Sequence, residues 1–169
     1  MEDVNIMTAK EAYADFLHDL LAWLPGQVCN DDGLLSMIRG AQPAPKNDYF
    51  YTVKFPAPSG GRRKAYLFFA QNLQNNDRSS KVFCVDFSIG PKLTYGWLEA
   101  EAMRMLPEKT ICDKYNPGKG DIFFAQTEWG RGGEWDRLCS PAIRSRLFKF
   151  AIDALRFAKR ALEHEASLA

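Results

Sequence analysis

Long apolar runs, paired cysteine motifs and histidine clusters are all missing from this chain of 169 residues. The longest apolar run is six residues, Ala65 to Ala70, followed by five from Leu20 to Leu24. A membrane-crossing helix takes about 20, so no membrane partner is expected. The N-terminal stretch, Met1-Glu2-Asp3-Val4-Asn5, is acidic, whereas a secretory signal begins basic and continues into an apolar stretch. Cys29, Cys84, Cys112 and Cys139 stand 55, 28 and 27 residues apart with no CxxC, and the two histidines, His18 and His164, lie near opposite ends. That is not metal-ligand spacing. Four free thiols in a cytoplasmic protein are the expectation. No glycine-rich phosphate or dinucleotide motif is complete, and no cofactor is expected. Asn116-Pro117-Gly118-Lys119-Gly120-Asp121 lacks GxxxxGK[ST] and leads into a strand rather than a helix, so it reads as a turn.

What is present is ordinary in amount and uneven in placement. The chain is 46% hydrophobic, 25% charged and 13% aromatic, with a net charge of +1. Those fractions describe a globular chain, neither disordered nor collagenous. The length suits one domain over residues 1–169. Residues 1–48 hold eight acids and three bases, a net −5, whereas 49–140 and 141–169 each carry +3.

Apolar spacing of three and four predicts a helix over Thr8 to Leu24, with Thr8 and Glu11 as a capping box and Pro25-Gly26 as its stop. A short helix follows over Asp32 to Arg39, capped by Asn30 or Asp31 and ended by Gly40. Ala41 to Asp48 is expected as loop. Period-two patterns then predict three strands, Tyr49–Phe55, Lys64–Leu73 and Lys81–Ile89, joined as an antiparallel meander. Trp97–Leu106 is expected helical, with a strand as the rival reading. Thr110–Asp121 reads as loop and Ile122–Trp129 as a fourth strand. Ser140-Pro141 opens a long final helix to about Glu165, with Ile143, Leu147, Phe150, Ala151, Ala154, Phe157, Ala158 and Ala161 on its buried face. The expected fold is α+β: a meander sheet of about four or five strands flanked by the N-terminal and the long C-terminal helices.

Functional residue types crowd into residues 128–137, where Trp129, Arg131, Glu134, Trp135 and Arg137 share ten positions with three glycines. Tryptophan and arginine are the usual anchors of interfaces. Trp129 is expected in the core and Trp135 exposed. Arg146, Lys149, Arg156 and Arg160 form a basic stripe along the last helix, and Glu11, Asp15 and Asp19 an acidic stripe along the first. Both are expected as solvated faces; a polyanion or acidic protein on the basic stripe, or the two stripes adjoining, are the sharper readings. Arg62 and Arg63 stand beside strands rich in Tyr49, Phe50, Tyr51, Tyr66, Phe68 and Phe69, a pairing that can hold single-stranded nucleic acid. Asp86 lies inside an apolar strand and would bind Mg²⁺ only with a second carboxylate such as Asp121 or Glu128; a base partner or solvent is expected instead. The leading expectation is a small cytoplasmic, non-catalytic protein-binding protein of inhibitor, immunity or adaptor type. A nucleic-acid or phosphate-ligand binder and a metal-dependent hydrolase or nuclease are the alternatives.

Overall fold

A computed structural model describes residues 9–43, 52–58, 62–71, 80–90, 92–116, 118, 120–131 and 135–168. The elements run α1 (Ala9–Gln27), α2 (Asp32–Arg39), β1 (Gln42–Pro43), β2 (Thr52–Pro56), β3 (Lys64–Gln71), β4 (Ser80–Ser88), α3 (Tyr95–Met105), β5 (Ile111–Tyr115), β6 (Ile122–Arg131), a 3₁₀ turn (Trp135–Cys139) and α4 (Pro141–Ser167). The six strands form one antiparallel sheet in the order β1-β2-β3-β4-β6-β5. β2 to β4 form the expected meander, and β1 adds a two-residue strand at its edge. β6 then enters between β4 and β5, and the two unexpected strands β1 and β5 bring the count to six, above the expected four or five.

One face of the sheet is the core. Val53, Phe55, Leu67, Phe69, Phe83, Val85, Phe87, Phe123 and Ala125 alternate with outward residues and are buried under the helices. α4 supplies Leu147, Phe150, Ala151, Ala154, Phe157, Ala158 and Ala161 to that core, as its spacing predicts, while Ile143 is only partly buried. The phenyl rings interlock: Phe16 meets Phe69 and Phe83 edge-on at 5.2 and 5.4 Å.

Three local expectations are corrected. α1 does not stop at Pro25-Gly26 but continues to Gln27. Proline removes one N–H, yet the buried side chains of Leu24 and Val28 hold that last turn on the core. Residues 111–115, expected as loop, form the edge strand β5; its burial shows no alternation, because much of it faces water. Gln42–Pro43 pairs briefly with Val53 and Lys54 where loop was expected.

Of the caps expected from the sequence, the one at Asp31 forms and the serine cap at Ser140 does not. The Asp31 side chain accepts from the Leu34 amide at 3.0 Å, and that bond holds its carboxyl below the usual range. Ser140 occupies the N-cap of α4 but its hydroxyl makes no capping bond. In the β5–β6 turn, the Asn116 side chain accepts from Gly118 N–H at 2.7 Å. Gly118 and Gly120 adopt φ of +104° and +106°, the region glycine tolerates. Thr8 and the segment Tyr49–Tyr51 lie outside the described residues, as does Glu134.

Candidate functional site

β6 is the longest strand among the described residues, and its pairing with β4 shifts register near its end. Val82 faces Glu128 but Lys81 faces Gly130, so Trp129 is an extra residue in β6. Such a bulge increases twist and re-aims side chains. Trp129 turns inward, 2% exposed, edge-on to Phe69 at 5.9 Å and to Tyr13 at 6.2 Å. This is its expected core position. Its Nε1 is buried with no acceptor among the described residues.

Trp135 is not the exposed residue that the sequence suggests. It is half-buried against the core, edge-on to Tyr13 at 5.8 Å, with the Lys81 ammonium 3.9 Å above its ring. Its support comes from α1 and β4. Lys81 is 4% exposed, and burial lowers its pKa; a cation over an indole face recovers part of what the ammonium loses in leaving water.

The bulge and the start of α4 together build a cleft of about 320 Å³ lined by Glu128, Trp129, Gly130, Arg131, Arg137 and Arg146. Arg131 comes from the strand end, Arg137 from the 3₁₀ turn and Arg146 from α4. Arg146 donates to the Thr127 hydroxyl at 3.2 Å and to the Glu128 carbonyl at 2.8 Å. Glu128 accepts from the Ser80 hydroxyl at 3.0 Å and stands 3.5 Å from the Arg131 guanidinium. Three guanidiniums thus share one cleft with one carboxylate. Planar guanidinium forks match carboxylate and phosphate oxygens in pairs. The sequence named all three arginines but put Arg146 in a separate helical stripe.

The rest of that stripe is dispersed. Lys149 binds Asp153 at 2.7 Å. Arg160 donates to Glu101 at 2.8 Å, tying α4 to α3; hydrogen bonds from Arg104 and Arg160 hold the Glu101 carboxyl below its usual range. Arg156 is exposed. The acidic stripe of α1 does meet α4, through a residue outside the basic stripe: Arg144 pairs with Asp15 at 3.2 Å and with Asp19, and donates to the Leu138 carbonyl.

Arg62 is exposed, while Arg63 donates to the Ser88 carbonyl and pairs with Glu165 at 3.4 Å. Of the aromatics beside them, Phe69 is sealed in the core, stacked on Tyr13 at 4.4 Å, and offers no face to a base. Tyr66 and Phe68 remain on the outer sheet face.

Asp86 and Glu128 do not form a metal site. Asp86 faces Phe124 and Val82 faces Glu128, so four residues of strand, about 13 Å, separate them. Asp121 instead stands 3.9 Å from Lys114. Among the described residues no group of three metal-ligating side chains converges. Asp86 also differs from its expected state: it is half-buried, and no base pairs with it among the described residues. Burial pushes its carboxyl up to about 7.

No helix among the described residues is long and apolar enough to cross a membrane. No family model, curated protein or solved structure matches the chain.

Proposed function

We propose that this chain is a non-catalytic binding protein, of inhibitor, immunity or adaptor type, that holds an acidic segment of a partner protein in the arginine cleft. The observation that carries the reading is the meeting of Arg131, Arg137 and Arg146, from three different elements, in one cleft. Trp129 and Trp135 brace the cleft from beneath rather than contact the partner. The reading takes the protein as cytoplasmic, on the support of four unpaired cysteines.

The test compares wild type with Arg131→Glu/Arg137→Glu as bait in cell extract, followed by titration of the recovered protein. The double variant should keep its melting temperature and weaken the partner by about 2 kcal/mol or more, roughly thirty-fold. A stoichiometric partner bound equally by both would overturn the reading. Guanidinium chemistry also suits phosphate, which favours a second reading as a nucleic-acid or phosphate-ligand binder. Its mark would be retention on immobilised oligonucleotide that falls steeply with salt and is lost in the same double variant.

A further inference from the structure

At the opposite end of β6 from the arginine cleft, the outer face of the sheet holds a second concavity. We propose that this concavity is a binding site for a small organic ammonium ion, whose charge meets the Asp86 carboxylate and whose apolar body lies against Tyr66, Phe68, Tyr115 and Ile122.

The sheet register builds the site. Asp86 has Tyr66 opposite it on β3 and Phe124 opposite it on β6. Tyr115 faces Ile122 across the edge pair, and its ring leans on Phe124 at 5.9 Å. Side chains from five adjacent strands line about 350 Å³, in the size range of small-molecule sites. Aromatic walls with a single carboxyl suit a cation, since ring faces attract positive charge and the carboxylate neutralises it.

A metal ion is disfavoured, because hard cations take six or more oxygen ligands and no cluster of acids forms among the described residues. An anion would meet Asp86. Among the described residues, Lys54, Lys64, Asp113 and, toward the other end of β6, Glu128 are the other charged strand residues of this face, and neither lysine pairs with Asp86. The Cys84 thiol and the Tyr115 hydroxyl beside the site are both raised by burial, so each stays neutral in the range where Asp86 titrates. With its carboxyl at about 7, Asp86 offers a proton-free partner above that pH and a neutral one below it.

Two amine probes separate the sources of such a group: phenethylamine as a free amine and Nα-acetyl-lysine methylamide as a peptide lysine. 2-Phenylethanol is the uncharged control. Calorimetry at pH 8.5 should show one or both amines binding at least about ten-fold tighter than the alcohol. The tighter of the two names the source. Binding should weaken by about ten-fold or more at pH 5.5 and in Asp86→Asn. Tyr115→Leu, at the half-exposed edge, should weaken it severalfold with the melting temperature kept, which guards against loss through misfolding. Failure of both amines to bind wild type, or equal binding to Asp86→Asn, would overturn the site. Neither result bears on the arginine cleft, which is probed by different residues.

Discussion

Asp86 sits between Tyr66 and Phe124 with no base paired to it among the described residues, and its carboxyl is pushed up to about 7 by burial. An unfolded chain releases that proton near pH 4. The folded state therefore binds more protons between about pH 4 and 7, and stability falls as pH rises through that window. Urea melts at stepped pH should show this fall, on the order of 2–4 kcal/mol in all. Asp86→Asn should remove most of it, leaving the variant the more stable protein at pH 8. Identical pH profiles for the two proteins would show that the carboxyl is solvated. Trp135 beneath the cleft and Arg131 in its lining should also separate. Trp135→Ala removes half-buried packing against Tyr13 and the platform under Lys81, and should cost roughly 2–3 kcal/mol. Arg131→Ala changes an exposed side chain and should cost about 0.5 kcal/mol or less. Equal losses in chemical denaturation would mean that Arg131 is part of the packing.

Among elements, α4 divides its faces cleanly. Phe150→Ala opens a cavity above Phe83, 5.7 Å away ring to ring, and should cost about 3–5 kcal/mol. Arg156→Ala, on the exposed side, should cost about 0.5 kcal/mol or less. Arg144 is the joint between α4 and α1. Its replacement by Met keeps the stem but releases Asp15, Asp19 and the Leu138 carbonyl. A loss of about 1 kcal/mol is expected, shrinking in high salt because both aspartates are half-exposed. A loss that salt leaves unchanged would locate the effect in the Arg144–Phe16 contact instead. β5 teaches the complementary point. With Ile111 and Tyr115 partly in water, no burial alternation marks it as a strand, and only hydrogen bonding to β6 makes it one.

Across the whole molecule, α1, α2, α3 and α4 share one contiguous core with the sheet. Thermal unfolding followed by tryptophan fluorescence and by far-UV circular dichroism should therefore give coincident midpoints. Separated midpoints would mean that the N-terminal helices melt independently of the sheet. The two proposed sites lie at opposite ends of β6, one basic and one acidic, so binding at either should leave the other's affinity unchanged.

Residue order alone determined the helical faces, the cap at Asp31 and the meander from β2 to β4, because these depend on neighbours within one or two turns or on a period of two. It also marked Trp129, Arg131 and Arg137 as a group, since they are close in sequence. Tertiary structure decided the rest. The placement of β6 beside β4, the bulge at Trp129 and the arrival of Arg146 from α4 depend on contacts between distant segments. So does the burial of Asp86 between Tyr66 and Phe124: a strand's pattern tells which face a carboxylate takes, but its charge state depends on what the neighbouring strands place beside it.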